Sequence, residues 1–212
     1  FLCPANIRAA QPREELLEFD LEGREFAAAV NFAWAAPYHF TVMTREHTDQ
    51  RYSERTLPEM LELQERSRLR VTVHGAGVGA TIPWHLHYQI TSQPFPAEAL
   101  DNTAAYPTVV EQFTSSEAAH EEAAAWIVRD PEHHDVNLLV APGAVGPRIL
   151  LFPRDRRRSH ADNKGLIGSF ETAGYFVFSA PGKRAVFTGA DAATARSALE
   201  QVRPPGLWRK GV

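Results

Sequence analysis

Apolar and polar residues alternate along several short stretches of the chain, which is the pattern of strands with one buried and one polar face. Between Tyr38 and Val42, for example, aromatic and aliphatic side chains alternate with His39 and Thr41. The alternation predicts strands at residues 26–32, 38–44, 69–74, 84–90, 107–113, 135–141, 148–152, 175–179 and 185–188. Glycine and proline residues lie between many of these stretches and indicate turns.

Three other stretches carry the signals of a helix start. Thr56 is followed by Pro58 and Glu59, which predicts a capping box and a helix running to about Ser67. The tetrad at residues 114–117 predicts a second capping box, which opens an alanine-rich helix to about residue 128. Asp191 predicts the cap of a final helix that ends near residue 202.

The succession of short strands with inserted helices indicates an α+β fold rather than a doubly wound one. We expect an antiparallel sheet with flanking helices. The proline- and asparagine-containing stretch 92–105 is the best boundary between two parts, residues 1–105 and residues 106–212. We expect the second part to pack on the first as one unit, and a degenerate copy of the first part is one form that it could take.

Composition excludes several classes of protein. The 212 residues carry a net charge of −4, whereas a general nucleic-acid binder would usually be basic. No apolar run approaches the length of a membrane span, and no leader pattern is visible, so we expect a cytoplasmic protein that binds neither nucleic acid nor membrane. A single cysteine, Cys3, excludes a disulfide within this sequence.

The most informative motif is His85, His87 and Gln89, which recur at every second position after the glycine-rich turn at residues 75–81. Alternate residues of a strand share a face, so two imidazoles and a carboxamide should lie together, with Leu86 and Tyr88 in the core behind them. The alternative is an ordinary strand whose two histidines are solvated or satisfied by their neighbours.

This motif resembles the active-site strand of the histidine triad superfamily. It is most similar to the transferase branch that ends in glutamine, which includes galactose-1-phosphate uridylyltransferase, diadenosine tetraphosphate phosphorylase and the GDP-hexose phosphorylases. Asn31, Pro37, His39 and His47 are similar to the strand that precedes the motif in those families. The opening residues 1–6 resemble a bacterial group of such proteins with unassigned substrates. The likeness is good over residues 26–92 and loose from about residue 100.

The chemistry of the motif suits nucleotidyl transfer. Imidazole is a good nucleophile near neutral pH, so His87 can attack the α-phosphorus of a nucleotide and form a covalent intermediate. The resemblance implies that the backbone carbonyl of His85 orients His87. Backbone N–H groups of Gly77 and Gly79, together with Thr81, are candidates to meet the phosphate charge.

The residue type at position 89 indicates which acceptor takes the nucleotidyl group. The resemblance associates histidine at this position with hydrolases, whereas glutamine can donate a hydrogen bond to a phosphoryl oxygen and favours transfer to phosphate or a sugar phosphate. Arg154 and Lys164 are candidates for the acceptor site, although exposed surface charge is at least as good a reading of both. Asn31 and His39 are candidates to contact the nucleotide, against structural roles in a turn and a strand.

No cofactor is required by this chemistry, and no metal ligand is assigned. Some uridylyltransferases bind a structural zinc ion through a Cys-x-x-Cys pair near this point and the first histidine of the motif. Here the partner of Cys3 would stand immediately before Phe1, so zinc is possible but undecidable from the sequence. Dimers are common in the superfamily, and a homodimer is possible.

The leading hypothesis is a nucleotidyltransferase or phosphorylase that acts on a dinucleoside polyphosphate or a nucleotide-sugar through nucleotidyl-His87. A second is a histidine triad hydrolase with water as acceptor, which Gln89 argues against. A third is a nucleotide-binding module without catalysis.

Overall fold

The computed structural model describes residues 2–10, 15–31, 35–161, 165–176 and 192–204. The strands are β1 (Leu17–Leu21), β2 (Arg24–Val30), β3 (Phe40–Thr44), β4 (Arg70–Val73), β5 (His87–Thr91), β6 (Glu111–Phe113), β7 (His134–Ala141), β8 (Arg148–Asp155), β9 (His160–Ala161) and β10 (Gly165–Leu166). The helices are α1 (Pro4–Ala10), α2 (Thr56–Ser67), α3 (Ser116–Arg129), α4 (Ser169–Thr172) and α5 (Ala192–Gln201).

Eight strands form one antiparallel sheet in the order β1-β2-β3-β5-β4-β7-β8-β6, and β9 pairs with β10 separately. The expected α+β fold with an antiparallel sheet and flanking helices is confirmed. No helix within the described ranges has the length and apolar character that would let it cross a membrane.

One face of the sheet packs against α2 and α3. Leu57 and Met60 of α2 and Trp126 of α3 join the inward side chains of the strands, Tyr88 among them, in the largest hydrophobic core. Apolar burial of this kind contributes about 25 cal/mol per Å² and is the main favourable term of the fold. The opposite face carries two smaller apolar clusters, and the polar side chains of the candidate site lie on this face.

The two parts of the chain repeat one arrangement of elements. β3, α2, β4 and β5 follow one another in the first part, and β6, α3, β7 and β8 follow one another in the second. The strands lie in mirrored orders on the two sides of the β4–β7 junction, as an internal two-fold relation requires. This topology is what a degenerate second copy would produce.

The strand register shows which residues correspond in the two units. Thr72 of β4 pairs with Gln89 in its own unit and with Leu139 across the junction, and Leu139 pairs with Leu150. Leu150 therefore stands where the first unit has its glutamine, and Arg148, two places earlier, stands where the first unit has its central histidine. The second unit thus carries neither the imidazole nor the carboxamide of the motif.

Two predicted caps differ from the structure. Arg55 is the N-cap of α2, with no side-chain cap hydrogen bond, and the Thr56 hydroxyl accepts the N–H of Ser53 instead. Glu59 does not cap the helix either: its side chain is buried, and Tyr88 donates a hydrogen bond to it. A buried carboxylate needs partners in the core, and this requirement overrides the local capping pattern.

The second cap is displaced by one residue. Ser115 rather than Thr114 caps α3, and its hydroxyl accepts the N–H of Ala118. The strands predicted at 175–179 and 185–188 and the cap at Asp191 lie wholly or largely outside the described residues.

Candidate active site

His87 is the central side chain of the candidate site and is only 4% exposed. Its Nδ1 lies 2.8 Å from the carbonyl oxygen of His85. A carbonyl only accepts hydrogen bonds, so Nδ1 carries the ring hydrogen and Nε2 keeps its lone pair. Burial lowers the pKa of His87, which favours the neutral ring. The ring is therefore held in the form that a nucleophile requires.

Gln89 lies two residues after His87 on the same face of β5. Its side chain contacts His39, the residue that precedes β3. The N–H of Ala35 is donated to Nδ1 of His39, so Nε2 of that ring carries the hydrogen and donates it to Oε1 of Gln89 at 2.9 Å. Burial lowers the pKa of His39, which keeps the ring neutral. Because the oxygen of the Gln89 amide is engaged in this way, its NH₂ group is left as the donor toward a ligand.

Asn31 lies beside this pair at the end of β2. Its Nδ2 donates to Oγ1 of Thr41 at 3.0 Å and lies 3.3 Å from Nε2 of His39. Asn31, His39, Gln89 and His87 are thus brought together on one face of the sheet. His85, which the motif predicted to lie in the same strand, precedes β5, and its ring contacts Cys3 and the carbonyl of Thr44. Contact of Asn31 and His39 with a nucleotide stays a prediction.

His74 is a further residue of the site that the sequence analysis did not single out. It follows β4 and is 6% exposed, and its Nδ1 accepts the N–H of Ser169 from α4 at 2.8 Å. Burial lowers its pKa to about 3, with smaller contributions from His87 and Arg154, while a hydrogen bond with Gln89 opposes the fall. The one signal for His74 in the sequence was its position two residues after Thr72, which places both side chains on the same face of a strand.

Residues of the second part of the chain contact His74 and cover the site. The ring of Phe170, which follows Ser169 in α4, lies with its centroid 5.2 Å from that of His39 and 6.4 Å from that of His74. Tyr175, a few residues later in the chain, donates a hydrogen bond to the carbonyl of Ala35. Residues 169–175 therefore pack over the polar face and reduce its contact with water.

The glycine-rich turn is packed against the second part of the chain. A Cβ on Gly79, whose φ is +130°, would lie 2.3 Å from Cα of Gly168, and a Cβ on Gly75 would lie 2.4 Å from the carboxyl of Asp135. Gly77 has a φ of +75° and lies beside the side chain of Arg156. These glycines serve close packing and backbone conformation, and their role toward phosphate stays a prediction.

Thr81, the last residue of this turn, is exposed, and its contact with phosphate stays a prediction. Arg154 is fully buried, so its alternative reading as exposed surface charge is wrong. Its Nη1 donates to the carbonyl of Ile167 at 2.7 Å and lies 3.4 Å from that of Val78, while Nε and Nη2 have no hydrogen-bond partner among the described residues. Lys164 lies outside the described residues.

Cys3, His47 and His85 form a separate group, the thiol–imidazole cluster, in which the ligand atoms lie within 4.8 Å of one another. Sγ of Cys3 is 3.6 Å from Nδ1 of His47 and 3.6 Å from Nδ1 of His85. Nε2 of His85 faces the carbonyl of Thr44 at 2.9 Å, so it carries the hydrogen and Nδ1 presents its lone pair to the cluster. Burial lowers the pKa of His85, which keeps this lone pair available.

The spacing of the cluster fits a tetrahedral zinc ion. Zinc bonds of about 2.3 Å to sulfur and about 2.05 Å to nitrogen at tetrahedral angles place the two ligand atoms about 3.6 Å apart. Both sulfur–nitrogen separations in the cluster have this value. His47 and Cys3 lie 38 and 82 residues before His85 in the sequence, and no sequence pattern linked His47 to a metal site.

His133 and His134 are both engaged by neighbouring side chains. His133 pairs with Asp130, and the ring of His134 stacks on Trp126 with centroids 3.6 Å apart. Neither residue contacts the candidate site through these interactions.

Comparisons with known proteins agree with this architecture. A family model described as "Domain of unknown function (DUF4922)" matches residues 1–92, and no curated protein matches the sequence. The fold is similar to that of yeast Ap4A phosphorylase Apa2 in complex with AMP, with a TM-score of 0.64, 16% identity and coverage of 94% of this chain and 80% of that one. The complex of the same enzyme with Ap4A gives a TM-score of 0.60 at 13% identity, covering 90% of both chains.

A third structure of yeast Ap4A phosphorylase Apa2 has a TM-score of 0.59 and 15% identity, and the match covers 96% of this chain and 93% of that one. These matches span both parts of the chain, including the region where the sequence resemblance is loose. They establish that the chain shares the fold of these phosphorylase structures.

Proposed function

We propose that the protein is a nucleotidyltransferase of the phosphorylase type, which acts through a covalent nucleotidyl-His87 intermediate. One observation carries the proposal: the buried His87 ring is held by the His85 carbonyl with Nε2 unprotonated, two residues before an amide whose NH₂ is left as a donor.

In the first step, Nε2 of His87 attacks the α-phosphorus of a nucleotide, a phosphorus–nitrogen bond forms, and the bond from phosphorus to the bridging oxygen breaks. The leaving group departs with that electron pair. In the second step, an oxygen of the acceptor attacks the same phosphorus, and the phosphorus–nitrogen bond breaks to return the lone pair to His87. Two displacements replace one difficult transfer.

Gln89 and His39 act together in both steps. The NH₂ group of Gln89 donates to a nonbridging oxygen of the phosphoryl group, while its own oxygen is fixed by the hydrogen bond from His39. Donors held in place in a poorly hydrated site stabilise the charge that develops during displacement without having to reorganise. Glutamine does not change its protonation state near neutral pH and cannot act as a general base toward water, which is consistent with an anionic acceptor rather than hydrolysis.

The substrate we favour is a dinucleoside polyphosphate, with a nucleotide-sugar as the other candidate, and the acceptor is phosphate or a sugar phosphate. Support comes from similarity in fold to structures described as complexes of an Ap4A phosphorylase with AMP and with Ap4A. Arg154, a buried cation whose Nε and Nη2 atoms have no hydrogen-bond partner among the described residues, is the candidate to meet acceptor charge, together with Lys164.

The test is intact-mass spectrometry after brief mixing with dinucleoside polyphosphates and nucleotide-sugars in the absence of acceptor. We expect an acid-labile gain of one nucleoside monophosphate, which disappears in His87→Ala and persists in the control His133→Ala. Binding without any adduct in the wild-type protein would favour a non-catalytic module, and steady release of free nucleotide without phosphate would favour a hydrolase.

We also propose that the thiol–imidazole cluster binds a structural zinc ion through Cys3, His47 and His85. These residues supply three of four tetrahedral positions, and the ion would fix α1 to the segment that carries His85. Zinc content and the thiolate charge-transfer band of the cobalt-substituted protein test this. Cys3→Ser should abolish the band, and His133→Ala should retain it; failure of the wild-type protein to hold stoichiometric metal in added zinc would refute the proposal.

A further inference from the structure

The backbone of His87 is held by a side chain that belongs to neither neighbouring strand. The ladder between β4 and β5 ends at the pair Thr72–Gln89, and beyond it the peptide of His87 faces the side chain of Gln50. Oε1 of Gln50 accepts the N–H of His87 at 2.7 Å, and Nε2 donates to the carbonyl of His87 at 3.1 Å. The Gln50 amide thus makes the two hydrogen bonds to the His87 peptide that β4 would make if the ladder continued.

The same amide joins the backbones of His74 and His87, two of the histidines at the polar face. Nε2 of Gln50 also donates to the carbonyl of His74 at 2.9 Å, so both of its hydrogens and its oxygen are used. Gln50 is 1% exposed, and a buried amide with all these bonds made can hold only one orientation. His74 in turn accepts the N–H of Ser169, which connects this network to the segment that covers the site.

The backbone of Gln50 is itself fixed by the segment that precedes the motif. The N–H of Gln50 donates to the carbonyl of Pro83 at 3.0 Å, and the N–H of Leu86 donates to the carbonyl of Thr48. Residues 48–50 therefore run alongside residues 83–87 as a short strap. The strap determines where the amide stands relative to the His85–His87 segment.

We propose that Gln50 is the positioning residue of the nucleophile. The hydrogen bond from Nδ1 of His87 to the carbonyl of His85 sets the direction of Nε2, and this bond forms only while the peptides of both residues keep their relative orientation. Gln50 forms hydrogen bonds with both the N–H and the carbonyl of His87. It therefore determines the direction in which Nε2 of His87 points. This inference rests on the proposed role of His87, and Gln50 itself does not touch the reacting atoms.

The matched variants are Gln50→Met, which keeps length and removes all three hydrogen bonds, and Gln64→Met as a control in α2. Gln50→Met should slow formation of the His87 adduct about 10²-fold, since a displacement of about 1 Å costs that much. Nucleotide affinity should change less than about threefold, because uniform binding does not depend on the aim of Nε2. The control should match the wild-type protein in both.

A second measurement does not depend on turnover. The ¹⁵N signals of the His87 ring report which nitrogen carries the hydrogen; we expect Nδ1–H in the wild-type protein and the control, and a mixture with Nε2–H in Gln50→Met. Unchanged ring signals together with an unchanged adduct rate would overturn the role of Gln50. Absence of an adduct in the wild-type protein, with the ring signals still responding to Gln50, would overturn the proposed function alone.

Hydrogen exchange in the unmodified protein covers the case in which the variant does not fold. The His87 amide, bonded to Gln50 rather than to a strand, should exchange as slowly as the amides within the β4–β5 ladder. Exchange at the rate of exposed loop amides would mean that the hydrogen bond from His87 to Gln50 is not held, and the proposal would fail.

Discussion

Acid should destabilise the protein through His74. The folded protein holds this ring neutral, with a pKa of about 3, whereas the unfolded chain titrates near the usual value of about 6.5. Below about pH 6.5 the unfolded state therefore binds a proton that the folded state does not. Stability is complete above that pH and decreases as the pH falls toward 3.

The expected magnitude follows from the linkage of proton binding to folding. One proton taken up only by the unfolded state costs about 1.4 kcal/mol for each pH unit below the unfolded pKa, so a change from pH 7.5 to pH 4.5 removes about 2.7 kcal/mol. Small domains are stable by only about 5–15 kcal/mol, so this is a large share. The cause is burial, with repulsion from the neighbouring His87 and Arg154 as smaller contributions.

The assay is urea unfolding at pH 7.5 and pH 4.5 for the wild-type protein and His74→Asn. Asparagine places its Oδ1 near the position of the histidine Nδ1 and can accept the N–H of Ser169, but it does not titrate. The wild-type protein should lose about 2–3 kcal/mol more than the variant between the two conditions. Equal losses would refute the reasoning, because the other buried histidines titrate in both proteins.

Three further changes test how the framework of the site is held. Gly79→Ala should lower the free energy of unfolding by about 2–4 kcal/mol, since a Cβ would lie 2.3 Å from Cα of Gly168 at a φ of +130°; an unchanged urea midpoint would contradict this. Tyr88→Phe removes the hydrogen bond to the buried carboxylate of Glu59 and should cost about 1.5–3 kcal/mol in the same assay, whereas a gain in stability would show that the pair is dispensable. Ser115→Ala should cost about 1 kcal/mol through the lost cap of α3, and a Thr114→Ala control should change the midpoint little.

Local patterns were sufficient for much of the fold. The alternation in residues 84–90 correctly predicted that Leu86, Tyr88 and Ile90 enter the core while His87 and Gln89 lie on the other face. The extent of α2 and the presence of strands at β7 and β8 were also confirmed. These features depend on the period of side-chain directions along one element, which the sequence of that element contains.

Other features depended on groups that are distant in sequence. Glu59 carries a capping pattern but lies in the core, because Tyr88 provides a hydrogen-bond partner there. Arg154 stands in a basic run that suggests a solvated surface, yet it is fully buried where the carbonyl of Ile167 accepts from it. Local propensity does not record such partners, and a buried polar group is placed by them.

The sequence by itself determined the fold class, the face on which the motif lies and the candidate nucleophile His87. Only the tertiary structure brought Cys3 and His47 close to His85. It also formed the hydrogen bond from Ser169 to His74 and the one from the His87 N–H to the Gln50 amide. The reason is that strand periodicity fixes the direction of a side chain, whereas hydrogen bonds and ligand spacing require atoms from separate segments to meet within about 3 Å.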